Sequence, residues 1–545
     1  MIIFKIEFYK KYIKFIIHIF TLSHVCMQEQ QKGKNIKAYL GYQGYSIFKD
    51  TLTIEEQHTL RKELTVGAYI PKSPIQPTPF PIYRESPLKI YVPRYFGLEK
   101  WAGIQVESKI SPGHAISLKF MGDLRDYQQV IVEKYLKAAR NSGIGGAAIG
   151  GGGLLDVDPG KGKTVMALKI VECLATKTLV VVHKSFLSNQ WKERIEQFLP
   201  GARVGIIQGQ LIDIDNKDIV IAMVQSLSMK EYPQSTFESF GLTIFDECHH
   251  MGAEVFSRCM MKVTTTYTLG LSGTMQRKDG LSKVFKMFLG DVVHKEKAES
   301  DHCVLVKGIN YVVDDDEFNE VEYDYRGNPK FSTMISKLCN YNRRSEFIVE
   351  VVTKELQHNA DQQIMILAHN KSLIQYLFKA IEHRKIATVG YYLGGMKEAD
   401  LKTSESKKII IATYAFASEG LDIKTLTTLI MATPKSEICQ VTGRILRVKH
   451  AKPVVIDIVD AHDLFKNQWQ KRKSYYKKQN YRIIITENSL YESDDKKGCW
   501  TTAYNPKPNK SIQTPLMNDD NNDEDDVTND VTNRKQPLLN RTCFL

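Results

Sequence analysis

Residues 154–164 read LLDVDPGKGKT, and the reading of this stretch decides the fold. An apolar run of strand length leads into Gly160, Gly162, Lys163 and Thr164, and residues 164–175 then carry helical periodicity. Strand, glycine-rich turn and helix in that order build a cradle for phosphate. The glycines let backbone N–H groups approach the anion, and the helix N-terminus adds partial positive charge. Lys163 can neutralise the terminal phosphates of a nucleotide, and the Thr164 hydroxyl can bind Mg²⁺. One departure stands out: Val157 occupies the place of the first glycine in G-x-x-x-x-G-K-[ST]. Taken alone, the motif is also compatible with a glycine-rich turn that holds no nucleotide.

Downstream, an apolar strand ends on Asp246 and Glu247, followed by Cys248, His249 and His250. Asp246 is placed to hold a magnesium shell, and Glu247 to position and deprotonate a water. An isolated acid pair at a strand end is as often merely solvated. Its position behind a phosphate loop, in the same series of strands and helices, makes it specific. Ser272, Gly273 and Thr274 close the next strand, and Thr413 closes a later one. Residues 418–422 read SEGLD, with Gly420 and Asp422, and residues 440–447 read QVTGRILR. On a helix Gln440, Arg444 and Arg447 stand at i, i+4 and i+7 and share one face. Two guanidiniums and an amide there suit a triphosphate held at a domain interface, although a basic solvated face is the bland alternative. Upstream, residues 124–128 read LRDYQ, where Gln128 could read an adenine edge.

Short runs rich in Val, Ile and Leu surround these motifs in two series. The first comprises residues 178–183, 202–208, 218–224, 242–247 and 268–272; the second comprises 363–369, 387–393, 408–414, 427–432 and 453–459. Such runs are buried on both faces of a parallel sheet, and helical stretches lie between them, so an α/β fold of two tandem doubly wound domains is expected. Gly143, Gly145, Gly146 and residues 150–153 read as a flexible loop before the first strand. Seven prolines make residues 69–93 an extended strap rather than a helix or a central strand, and Thr53 with Glu56 forms a capping box. The expected domains are an N-terminal extension (1–26), a small N-terminal domain (27–110), an ATP-binding domain (111–300), a second α/β domain (301–488) and a disordered acidic tail (489–545).

Hydrophobic residues at 43% and charged residues at 25% exclude a disordered or collagenous chain. Nine cysteines without a C-x-x-C pair support neither a disulfide framework nor a zinc module. The net charge is +12, and without the seven acids of residues 519–530 the rest carries +19, which fits a phosphate-rich partner. That acidic segment is a solvating end or, more sharply, a strand mimic that competes for the basic body. Residues 465–481 interleave aromatics with lysines and arginines. They either stack bases or, with the rings turned inward, pack a helix onto its own domain. Residues 1–26 are apolar but broken by four lysines, too short in any clean run to span a membrane, and Met27 is the expected functional start.

LRDYQ, DPGKGKT, DECHH, SGT, ATYAFASEGLD and QVTGRILR, in this order and spacing, resemble the motif set of the superfamily 2 helicases over residues 124–447. HKSFLSNQW, LSGTMQRKDG and FPIYRESPLKIYVPRYFGLEKW further resemble the helicases of large nucleocytoplasmic DNA viruses, a group akin to the poxvirus transcript-release and phage branch-migration helicases. The resemblance implies two RecA-like domains that clamp ATP and Mg²⁺ between them, with nucleic acid running across both. It carries nucleotide contacts onto Arg125, Gln128, Pro159, Gly160, Lys161, Gly162, Lys163, Thr164, Gly420 and Asp422, and metal binding onto Thr164 and Asp246. Hydrolysis and γ-phosphate sensing fall to Asp246, Glu247, Gln440, Arg444 and Arg447. Coupling and nucleic-acid contact fall to His249, Ser272, Gly273, Thr274 and Thr413. SGT, where many relatives have SAT, and Val157 are departures that remove no charge. The implied activity is an ATP-dependent DNA helicase or translocase on duplex or forked DNA, with transcription or replication proteins as partners. A soluble intracellular setting without membrane attachment is expected, in host cytoplasm, viral factory or virion. An RNA helicase is the rival within the class. A non-catalytic regulatory subunit is the rival outside it, and intact Lys163, Asp246, Glu247, Arg444 and Arg447 argue against that.

Overall fold

The computed structural model describes residues 36–70, 76–140, 150–158, 160–248, 253–273, 279–295, 304–420, 423–443, 450, 452–492 and 499–506, with backbone alone for Ala253, Ser418, Glu419, Gly420 and Glu492. In the N-terminal region β1 (Ala38–Gly41) and β2 (Gly44–Phe48) form a hairpin, and β3 (Thr65–Val66) pairs with β4 (Phe80–Pro81). β5 (Arg84–Glu85), β6 (Lys89–Val92) and β7 (Glu107–Ser108) join the hairpin in the order β5-β6-β2-β1-β7. The capping box forms as its spacing predicts: Thr53 Oγ1 accepts the Glu56 N–H at 3.2 Å, and the Glu56 carboxylate accepts the Thr53 N–H at 2.9 Å, ahead of the helix Ile54–Glu63. The proline-rich stretch departs from expectation, because β6 is an interior strand. Pro87 and Pro93 bracket it without entering it, so the ladder loses no donor.

The first eight-stranded sheet holds β8 (Gly152–Asp156), β9 (Thr178–Val182), β10 (Val204–Gln208), β11 (Leu211–Asp213), β12 (Ile219–Met223), β13 (Leu242–Phe245), β14 (Tyr267–Ser272) and β15 (Val292–Lys295). Their order is β11-β10-β12-β9-β13-β14-β8-β15, and every pair is parallel except β10 with β11. Residues 150–153 do not form the expected loop, since Gly152 and Gly153 begin β8. A Cβ on Gly152 would stand 2.0 Å from the Thr268 carbonyl oxygen, and one on Gly153 would stand 2.3 Å from Val293 Cγ2. These glycines answer to close packing, which local sequence cannot distinguish from flexibility.

One hydrophobic core runs from Tyr45, Ile47 and Ile90 of the N-terminal sheet to Leu179, Val181 and Phe245 of the first large sheet. Buried Arg94 locks the joint by donating to the Thr265 and Thr266 carbonyls at 2.9 and 3.0 Å.

The second large sheet holds β16 (Leu305–Tyr311), β17 (Gln363–Ala368), β18 (Val389–Tyr392), β19 (Ile409–Thr413), β20 (Leu426–Met431), β21 (Val454–Asp460), β22 (Arg482–Glu487) and β23 (Thr501–Tyr504). The order is β18-β19-β17-β20-β21-β16-β22-β23, parallel until the antiparallel β23. The chain is thus an α/β protein with two tandem RecA-like sheets behind a small N-terminal sheet. β16 is illegible as an apolar run because Lys307 and Gly308 interrupt it. In the fold Lys307 pairs with buried Glu355 at 2.7 Å, and Gly308 leaves room for the Trp469 ring.

The expectation of disorder from residue 489 is corrected in part. Asn488–Glu492 is helical, β23 closes the sheet, and Tyr491 meets Trp500 edge to face with ring centroids 6.0 Å apart. The Tyr491–Trp500 contact joins the described segments on either side of residues 493–498, which lie outside the described residues. Residues 507–545, with the acidic segment, lie outside the described residues, as do residues 1–35. Among the described residues no helix is long and apolar enough to cross a membrane.

The helix Asp463–Lys478 turns Phe465, Trp469 and Tyr476 into the core, which realises the packing alternative. Arg472 goes with them. It is fully buried and forms a bidentate pair with Asp457, with Nε to Oδ2 at 2.7 Å and Nη2 to Oδ1 at 2.9 Å, while Tyr476 Oη donates to Oδ2 at 3.2 Å. Removing one member leaves an uncompensated buried charge. Asp457→Ala should therefore cost about 3–5 kcal/mol in urea unfolding, whereas exposed Lys471→Ala should stay within about 0.5 kcal/mol of the parent. Equal midpoints for the two variants would contradict this.

Candidate active site

The phosphate loop leaves β8 at its C-terminal end. Gly160 and Gly162 adopt φ of 84° and 80°, the left-handed region in which side chains are strained, and the helix Lys163–Leu174 follows directly. The LRDYQ segment braces the turn: Gln128 Nε2 and Tyr127 Oη donate to the Lys161 carbonyl at 2.9 and 3.0 Å. Gln128 Oε1 accepts the Arg125 N–H at 3.0 Å, so its amide is committed to the loop it borders. A Cβ on Gly162 would stand 2.4 Å from Gln128 Nε2, so a side chain there would displace the Gln128 amide from the Lys161 carbonyl as well as strain the backbone. Val157 is fully buried in the core beneath, and its N–H donates to the Ser272 carbonyl at 2.9 Å. The missing first glycine is thus a packing anchor.

Asp246 and Glu247 follow β13, which lies two strands from β8 with β14 between them. All these strands are parallel, so their C-terminal ends bring the loops to one edge. Lys163 Nζ reaches Glu247 Oε1 at 2.9 Å and joins phosphate loop to acid pair. Glu247 holds φ of 46°, a left-handed conformation costing a non-glycine residue about 1–2 kcal/mol, of the kind that clusters where function demands it. Asp246 is buried, and burial, with the Glu247 charge second, pushes its carboxyl above the usual carboxylate range. Trp191 Nε1–H opposes that shift by donating to Asp246 Oδ2 at 2.8 Å. Trp191 is the positioning residue that the sequence reading missed; its only signal was its place at the end of HKSFLSNQW. Ser272 and Gly273 are buried beside the loop at the end of β14, and Asp156 pairs with Lys295 at 3.2 Å.

The second sheet supplies the facing wall. Thr413 ends β19, and the helix Tyr414–Gly420 follows it. The short helix Cys439–Thr442, which carries Gln440, stands across from the loop. Burial chiefly raises the Cys439 thiol, yet the charges of Asp158 and Lys163 also act on it. The halves touch elsewhere, with Asn189 Nδ2 donating to Glu398 at 3.1 Å and Phe186 meeting Phe416 at 5.8 Å between ring centroids. The structure therefore brings Gln128, Gly160, Lys161, Gly162, Lys163, Thr164, Asp246, Glu247, Ser272 and Gly273 to one edge of the first large sheet, while Gln440 lies on the short helix whose Cys439 feels the charges of Asp158 and Lys163. Pro159, His249, Thr274, Asp422, Arg444 and Arg447 lie outside the described residues, and so does the Gly420 environment.

Two RecA-like sheets with a phosphate loop and a carboxylate pair at their cleft define a nucleoside-triphosphate-driven motor. The family model described as "Type III restriction enzyme, res subunit" matches residues 121–277. A candidate ATP-dependent RNA helicase of Acanthamoeba polyphaga mimivirus, L396, is 34% identical over 90% of this chain and 99% of its own length. The helicase 161L of Invertebrate iridescent virus 6 is 28% identical over 68% of this chain and 85% of its own. The African swine fever virus protein QP509L, also named for an ATP-dependent RNA helicase, is 26% identical over 88% and 99%. The chain belongs to this family of viral superfamily 2 helicases. It is an ATP-dependent helicase, a nucleic-acid-binding enzyme that uses ATP.

Trp191→Phe keeps an aromatic ring and removes the donor that favours ionised Asp246. Asp246 should then hold its proton to higher pH, so the acid limb of the ATPase pH profile should move up while the alkaline limb stays. An unmoved acid limb would show that this contact does not tune the site.

Proposed function

We propose that the chain is a DNA motor that couples ATP hydrolysis to strand separation or remodelling of duplex or forked DNA in viral transcription, replication or repair. The observation that carries the motor chemistry is the Lys163–Glu247 ion pair. Lys163 Nζ is held by Glu247 Oε1 at 2.9 Å. An arriving triphosphate competes for the Lys163 ammonium, and Glu247 is released to position a water and accept its proton. ATP binding thus arms the base, and the pair re-forms once Glu247 has passed its proton to the departing phosphate and that phosphate has left Lys163. A magnesium ion fits the donor set. Buried Asp246, pushed toward its neutral form, gains most from a divalent cation, and Thr164 offers a hydroxyl at the helix start; the ion would offset the phosphate charge there. Arg444 and Arg447, which follow Gln440 in sequence, are assigned the γ-phosphate, while Thr413, Ser272, Gly273 and Thr274 are assigned coupling to the strand.

Support for DNA comes from the resemblance of HKSFLSNQW and LSGTMQRKDG to DNA-virus helicases, while the +19 body fits a phosphate-rich partner of either kind. The RNA reading has its own support in the names of the mimivirus and African swine fever virus relatives. ATPase assays with forked DNA, duplex, single strands and RNA as stimulants decide between them, and stimulation by RNA alone would overturn the DNA reading.

The ion pair also separates two substitutions. Lys163→Ala should weaken ATP binding, because the lost charge faces the phosphates throughout. Glu247→Gln should bind ATP at least as well as the parent, since it frees Lys163, while hydrolysis slows by about 10²–10⁴-fold. Labelled-ATP binding and phosphate release on both variants test this; hydrolysis within a few-fold of the parent in Glu247→Gln would remove the role given to Glu247. Binding to nucleic acid should be phosphate-directed, so affinity should fall linearly with the logarithm of salt concentration and vary little with sequence. A flat salt response would contradict that.

A further inference from the structure

The solvent-facing side of the N-terminal sheet presents chemistry that the ATP site leaves unused. Strand alternation sends Leu40, Tyr45, Ile47, Ile90 and Val92 into the shared core and turns Tyr39, Phe48 and Tyr91 to the opposite face. None of these three rings packs into a core cluster. The register sets them side by side: Tyr39 stands opposite Ser46, Ser46 opposite Tyr91, and Phe48 opposite Lys89. Cations ride on the rings. Lys89 Nζ lies 5.0 Å from the Tyr39 centroid and 4.7 Å from that of Phe48, and Lys109 Nζ lies 5.1 Å from Tyr39. Lys37 is exposed at the end of the same row, where its carbonyl accepts the Phe48 N–H at 3.1 Å. The carboxylate at this rim, Glu107, is already paired with Lys109 at 3.4 Å.

A sheet face with adjacent aromatic rings and overlying ammonium groups matches one ligand class. Unpaired bases have π-faces that stack on such rings, and the phosphates between them meet the lysines. A duplex offers no free base faces to these rings. We infer that this face binds single-stranded nucleic acid, with bases on Tyr39, Phe48 and Tyr91 and backbone phosphates on Lys37, Lys89 and Lys109. The inference rests on the reading of the chain as a nucleic-acid motor, and adds a holding site remote from the ATP cleft. Because the N-terminal sheet shares its core with the first RecA-like sheet, a strand gripped here is carried by the domain that bears the phosphate loop.

The test uses the full chain with fluorescein-labelled dT20 and rU20 in anisotropy titrations. Two double variants are compared with the parent: Tyr39→Ala with Tyr91→Ala, and Lys37→Glu with Lys109→Glu. Each should weaken oligonucleotide binding by at least about tenfold, the loss expected from removing stacking or phosphate contacts, with basal ATPase unchanged. Loss on both polymers or on either one supports the site, and the arm affected identifies the sugar it accepts. Should the aromatic variant lose basal ATPase through misfolding, the exposed lysine variant decides alone. Parent-like affinity in the folded variants overturns the site. If instead no nucleic acid stimulates the ATPase of the parent, the motor reading itself falls, and this outcome is distinct from the former.

Discussion

β8 is pressed between β14 and β15 so tightly that its first residues admit no side chain, and the placement of the ATP cleft follows from that constraint. A Cβ on Gly152 would meet the Thr268 carbonyl oxygen at 2.0 Å, and one on Gly270 of β14 would meet Leu154 Cδ2 at 2.2 Å. The close approach holds the parallel register in which Asp156 stands opposite Ser272, and Val157 then donates to the Ser272 carbonyl. Strand end, phosphate loop and the Ser272 backbone are thereby fixed to one another. Parallel strands place all their C-terminal loops on one edge, so β13 delivers Asp246 and Glu247 within reach of Lys163.

The cleft that results holds its charges under tension. Two carboxylates stand adjacent at a buried strand end, which raises Asp246, and one indole N–H and one ammonium offset the repulsion. Glu247 bears an unfavourable backbone conformation as well. Such a site gains from any ligand that separates the pair and brings compensating positive charge. On the mechanism proposed above, part of the binding free energy of the nucleotide would go to rearranging Glu247 rather than to affinity alone.

The N-terminal sheet is an extension of the motor core rather than an appended module. Its apolar side continues the core of the first RecA-like sheet, and Arg94 ties it to the segment entering β14. Its other side carries half-buried aromatic rings with lysines over two of them. A rigid mount of this kind keeps a surface contact in register with the ATP cleft, which a flexible linker cannot do.

How much the sequence determined follows from the range of the interactions. The βα alternation, the phosphate loop and the capping box at Thr53 are set by neighbours along the chain and were legible, whereas the interleaved rings and cations of residues 465–481 allowed two readings between which the fold chose. The glycines of residues 150–153 were misread because close packing and flexibility leave the same letters. β16 was hidden because Lys307 and Gly308 are accommodated only by Glu355 and Trp469, far away in sequence. Residues beyond 488 were misjudged because Tyr491 and Trp500 act singly in a polar stretch. The donor from Trp191 to Asp246, the Lys163–Glu247 pair and the Arg472–Asp457 pair each join separate elements. Sequence by itself therefore determined the kind of machine and named the candidate groups for its site. Only tertiary structure decided which charges meet, because partners brought together by sheet register leave no periodic trace in either strand.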